Sequence, residues 1–171
     1  MVELLNSKCE PLAAQALKFV GGILGSENTQ VIEKCMFNAV IDKLTNLCYS
    51  TRHCIVKECC WAFSNLCASG PSYCEQFVKS YAFQRCLALA LNDNNDIRNE
   101  ALWALTNAIT EGSDQTMRDA FLSTTVNYDD EDKTHILNVL LTNITVKDQR
   151  LVCVIIEALY KLLKTDEFFK L

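Results

Sequence analysis

Lys57-Glu58-Cys59-Cys60-Trp61-Ala62-Phe63-Ser64-Asn65 and Asn99-Glu100-Ala101-Leu102-Trp103-Ala104-Leu105-Thr106-Asn107 are two versions of one phrase. Each sits in a stretch that reads as an amphipathic helix, Lys57 to Ala68 and Arg98 to Thr110. At about 100° per residue, Asn99, Glu100, Thr106, Asn107 and Thr110 share a face with Trp103, while Ile97, Ala101, Leu102, Leu105, Ala108 and Ile109 lie opposite. Trp61 likewise shares its face with Lys57, Glu58, Ser64, Asn65 and Ala68, and Ile55, Val56, Cys59, Phe63, Leu66 and Cys67 lie opposite. A core would collect the tryptophan with the leucines. Here an indole and an amide, spaced i and i+4, are turned away from them. Such a face offers itself to something outside the helix.

The two tryptophans stand 42 residues apart. A similar step back reaches Lys18, in the helix-like run Leu12 to Leu24. A longer step forward reaches Glu157, in the run Gln149 to Lys164. The excess is matched by a polar, acidic insertion over 123–133 that contains Asp129, Asp130, Glu131 and Asp132. A helical period of about 42 falls in the range of HEAT and armadillo solenoids. Three helices can be placed in each period: Thr29–Cys35, Asn38–Cys48 and Thr51–Ala68, then Tyr73–Lys79, Phe83–Leu91 and Asp96–Glu111, then Asp114–Leu122, Thr134–Thr145 and Gln149–Lys164. Gly70-Pro71 and Gly112 end the long helices, and Asp96 is placed as an N-cap. Short, longer, longest is the armadillo order. The expected fold class is therefore all-α, an armadillo-repeat right-handed superhelical solenoid in one domain over 1–171. Its parts are a partial repeat 1–25, repeats 26–69, 70–112 and 113–164, and the start of a further repeat at 165–171. The N-terminal end is then expected to expose an apolar face, covered either by more of a longer solenoid or by a neighbouring subunit.

Composition agrees. The 171 residues are 50% hydrophobic, with only five glycines and two prolines, which disfavours a turn-rich β-fold. No run is long and apolar enough for a membrane span, and no basic-then-apolar leader opens the chain. The expectation is cytoplasm and nucleus. Ten cysteines fall largely at apolar helical positions, Cys59, Cys60, Cys67, Cys86 and Cys153 among them, so buried reduced thiols are expected rather than a metal site. A net charge of −5 makes duplex nucleic acid a poor partner and a basic peptide a better one. Tyr73, Phe77, Tyr81 and Phe83 read as core or helix-junction packing. With His53 and His135 the only histidines, no phosphate loop and no nucleophile motif, neither an enzyme nor a cofactor is expected.

The paired phrases resemble the K-E-A-x-W-x-x-S/T-N third helices of importin-alpha, the armadillo adaptor for nuclear localisation signals. Val2-Glu3-Leu4-Leu5 followed by Ala16-Leu17-Lys18-Phe19-Val20-Gly21-Gly22-Ile23 is similar to that family's V-E-L-L and A-L-R-x-V-G-N-I segments. Thr110-Glu111-Gly112-Ser113 resembles its S/T-x-G-G/S turn. Order and spacing match over nearly the whole chain, as about four repeats of the family's C-terminal half. The resemblance implies a concave groove in which Trp61 and Trp103 stack on aliphatic stems of Lys and Arg, and Asn65 and Asn107 hold an extended peptide backbone. Glu58 and Glu100 then neutralise basic heads, with Ser64 and Thr106 at the motif's hydroxyl position. Glu157 stands where a third tryptophan would be, either a solvated helix residue or a further ligand. The sequence departs from the pattern at Gly22 and Lys161, where asparagines are expected, and at the acidic insertion, while Lys18 matches a position that is basic in this part of the family. The implied partners are Lys/Arg-rich cargo segments and an importin-beta-type carrier. The alternative is a shortened, divergent armadillo protein that is a structural subunit of a larger complex and binds no cargo.

Overall fold

A computed structural model describes residues 1–122, 124–125 and 134–164. A 3-10 turn, Val2–Asn6, leads into α1, Glu10–Leu24. Three triplets come next. The first is α2 (Thr29–Phe37), α3 (Val40–Leu47) and α4 (His53–Ala68). The second is α5 (Pro71–Val78), α6 (Tyr81–Leu89) and α7 (Asn95–Thr110). The third is α8 (Asp114–Leu122), α9 (Ile136–Thr142) and α10 (Gln149–Leu163). Between α8 and α9, Thr124–Thr125 pairs antiparallel with Thr134–His135, a two-residue ladder that leaves the architecture helical. The acidic run Asp129–Asp132 and the segment 165–171 lie outside the described residues.

Several helices start where a polar side chain satisfies their free N–H groups. Asn28 Oδ1 accepts from the Val31 N–H at 3.3 Å, and Asp148 Oδ1 from the Arg150 N–H at 3.0 Å. Asn94, not Asp96, caps α7: its Oδ1 accepts from the Asp96 and Ile97 N–H groups at 3.0 and 3.2 Å. His135 Nδ1 caps α9 at 3.2 Å, so that helix begins two residues after Thr134. Pro11 and Pro71 occupy first-turn positions that need no donor. Gly70 turns the chain from α4 into α5 at φ 144°, a conformation side chains disfavour. Ala39 adopts the same half of the map, φ 55°, between α2 and α3.

The long helices lie side by side in the order α1, α4, α7, α10, and the short helices back them. Phe63, Phe77 and Phe83 join α4 to α5 and α6, with ring centroids 5.2 and 5.8 Å apart. Tyr73 is buried and its hydroxyl donates to Glu33 Oε1 at 2.9 Å. Tyr81 departs from the core reading: at 77% exposure it stands at the outer corner between α5 and α6. It is the first residue of α6, where the apolar stripe has not yet turned inward. Seven cysteines are buried, while Cys9, Cys54 and Cys153 are exposed. For Cys153 this corrects the sequence reading, because the inward stripe of α10 runs through Leu151, Ile155, Ala158 and Leu162.

Candidate functional site

The row of long helices carries the two phrases on its free face. Trp61 and Trp103 are both half-buried, and Trp103 also packs against the core. The indole of Trp61 lies on α1. A Cβ added at Gly21 would stand 2.5 Å from its Cζ3 and 2.8 Å from its Cε3, so only glycine leaves room for the ring. A turn later, a Cβ at Gly25 would come within 3.0 Å of the Asn65 carboxamide carbon.

The amides are partly committed. Asn65 Nδ2 donates to the Gly21 carbonyl at 3.0 Å, and Asn107 Nδ2 donates to the Ser64 carbonyl at 3.1 Å. Each asparagine thus staples its helix to the long helix before it. Lys161 continues the row with a different group: its Nζ donates to the Thr110 carbonyl, at the end of α7. An asparagine carries two N–H donors and an acceptor oxygen. After the staple, one N–H and the oxygen remain at Asn65 and Asn107. The expectation of a wholly free amide is corrected to that extent.

Ser64 and Thr106 are corrected further. They are 6% and 0% exposed, so neither reaches a groove ligand. Their hydroxyls turn back onto their own helices, Ser64 Oγ to the Trp61 carbonyl at 2.8 Å, Thr106 Oγ1 to the Leu102 carbonyl at 2.8 Å and the Trp103 carbonyl at 3.2 Å. Packing of neighbouring long helices covers that flank of α4 and α7.

Glu58 and Glu100 are half-buried beside the indoles, and Glu157 is exposed on α10. Burial pushes the Glu100 carboxyl above its usual range. Lys57 opposes that rise, and Glu58 and Asp96 add to it. Lys57 Nζ stands 3.6 Å from Asp96 Oδ2, linking α4 to α7. Three carboxylates against one ammonium leave this part of the row negative. Sequence reasoning missed Gly21, the Lys57–Asp96 pair and the role of Lys161 as a staple. The signal for the staples was there: both asparagine acceptors lie 43 or 44 residues upstream, one repeat away.

No protein-family model matches this sequence, and no curated protein matches it. Solved structures do. A designed armadillo repeat protein in complex with the peptide (KR)4 superposes with a TM-score of 0.74 at 18% identity, over 96% of this chain and 68% of that one. The fold is an armadillo solenoid. Computationally designed armadillo repeat proteins for modular peptide recognition align with a TM-score of 0.73 at 16% identity, over 94% of this chain and 62% of that one. Two engineered proteins solved by the Northeast Structural Genomics Consortium align with TM-scores of 0.76 and 0.77 at 18% and 20% identity. The armadillo solenoid described here covers 98% and 99% of its own length in those alignments, but spans only 38% and 64% of theirs.

Proposed function

We propose that this armadillo solenoid is a peptide-binding adaptor of the importin-alpha kind, holding extended Lys/Arg-rich segments along Trp61/Asn65 and Trp103/Asn107. One observation carries the reading. Two half-buried indoles, each one turn from an amide with a spare N–H and oxygen, stand on adjacent long helices beside Glu58, Asp96 and Glu100. Lysine and arginine stems stack on indole faces at about 0.5–2 kcal/mol each, and the carboxylates take the charged heads. A designed armadillo protein of the same fold carries a (KR)4 peptide, which supports the ligand class. In this reading the protein works between cytoplasm and nucleus as a cargo-signal receptor, hands cargo to an importin-beta-type carrier, and performs no catalysis of its own.

The test is fluorescence anisotropy with a labelled Lys/Arg-rich peptide. Wild type binds in the micromolar range, and Trp103→Ala weakens binding by about two- to thirtyfold. Circular dichroism separates a lost site from a lost fold. No binding to the folded wild type would sink the proposal.

A second reading, the scaffold subunit, is favoured by a different observation. Phe37, Tyr81 and Leu122 are 91%, 77% and 64% exposed, each close to the C-terminal end of the first short helix of a triplet. A periodic apolar edge of this sort suits a fixed neighbour. Absent peptide binding, together with self-association of the isolated chain, would select it.

A further inference from the structure

We infer that the row carries, between α8 and α10, a subsite of opposite sign, which takes an anionic side chain, glutamate or phosphoserine, of the same extended peptide. The inference rests on the peptide-groove reading above. The site is a cleft of about 490 Å³ between the first turns of α8 and the last turn of α10. Three cations line it, Arg118, Lys161 and Lys164, against the single carboxylate of Asp114.

Each cation is held in place by a neutral group. Lys161 donates to the Thr110 carbonyl. Lys164 Nζ lies 4.3 Å from the centroid of the Tyr160 ring. Arg118 donates to the Gln115 side-chain oxygen at 3.2 Å. Among the described residues none of the three forms a salt bridge. Elsewhere Lys43, Arg52, Lys57 and Lys79 all face carboxylates. Other cations, Lys18, Arg85 and Arg98 among them, also lack a carboxylate partner among the described residues, but only here do three line one cleft with a single carboxylate. The N-terminal end of α8, with its own positive partial charge, borders the same cleft.

Position ties the cleft to the groove. Lys161 occupies the row of Asn65 and Asn107 and makes the same kind of bond to the preceding long helix. Moving from Trp103 to the cleft advances one repeat, about 10 Å, or about three extended residues. The matching ligand is a basic stretch followed, about three residues past its last stacked side chain, by an acid. Arginine and lysine bind carboxylate and phosphate alike, so both forms belong to one chemistry.

The test compares amidated peptides on the intact chain by anisotropy: a Lys/Arg-rich parent, and the parent carrying glutamate or phosphoserine about three residues beyond either end. An acid at one end tightens binding by about tenfold, the other end giving no gain because the row has a direction. Gain with both acids marks a carboxylate site; gain with phosphoserine alone marks a site that needs a dianion, and either supports the subsite. The double variant Arg118→Gln/Lys164→Gln binds the parent as wild type does but loses the gain. Parent binding with no gain at either end, or a gain that survives in the double variant, overturns the subsite and leaves the groove standing. Failure of the parent and of every acid-bearing peptide overturns both.

Discussion

Glu100 shows what one half-buried carboxylate does on the long-helix row. Burial raises its pKa, so the folded state takes up the proton at a higher pH than the unfolded chain. A raised carboxyl pKa means that ionisation costs stability. The cost is complete above the folded pKa and disappears as pH falls below the ordinary value of 4.5. Urea melts of Glu100→Gln therefore give a higher midpoint than wild type at pH 7, and the two converge below about pH 4.5. In the proposed peptide groove the same charge takes a basic ligand. Basic-peptide affinity of the wild type consequently declines as pH falls through the raised Glu100 pKa, and in Glu100→Gln that decline is absent. Equal midpoints at pH 7 would remove the burial argument. The residue scale is also where the sequence was least legible. The helical wheel put Trp61, Asn65, Trp103 and Asn107, all half-buried, on one face with Ser64 and Thr106, which are buried. A wheel knows the angle of a side chain on its own helix. It does not know that the neighbouring long helix closes over one flank of that face.

At the scale of elements, amphipathic periodicity and breakers located the helices to within a few residues, since apolar stripes and Gly-Pro punctuation are local. What they could not give was the conformation of a junction. Ala39 sits at φ 55° between α2 and α3, where an L side chain crowds the following carbonyl. Glycine suffers no such strain, although it gains more freedom when unfolded. The balance makes Ala39→Gly stabilising by about 0.5–1 kcal/mol, a rise in Tm of about 1–4 °C in a chain of this size. Differential scanning calorimetry reads this directly, and a fall in Tm would show that α2 and α3 meet differently. Asn143 is another junction the periodicity did not show. Buried at the end of α9, its Nδ2 donates to both the Ala90 and Val139 carbonyls, tying the third triplet to the second.

Over the whole molecule, the period of about 42 was the decisive signal, because a solenoid buries its core between successive copies of one unit. Cysteine burial is a consequence of that architecture. In the native state an aqueous thiol reagent labels Cys9, Cys54 and Cys153 at once and reaches all ten only after denaturation. Rapid native labelling of Cys60 or Cys67, both at 0% exposure, would contradict the packing of α4 between α1 and α7. Charge distribution sets a second molecular property. In the proposed groove, a basic peptide held by Glu58, Asp96 and Glu100 is an electrostatic ligand, so its affinity drops several-fold between about 50 and 200 mM salt, which titrations at the two ionic strengths will read.

The glycine beneath Trp61 bears on how far these units can be copied. Gly21 and Ser64 hold corresponding places, since each lends its carbonyl to the asparagine of the following helix. A tandem duplicate of 26–69 would set Ser64 under the second Trp61, where a Cβ has no space and the ring must tilt away from the row. The units of this chain are therefore ordered parts rather than interchangeable bricks, and repeating this one would demand a compensating change under the duplicated indole.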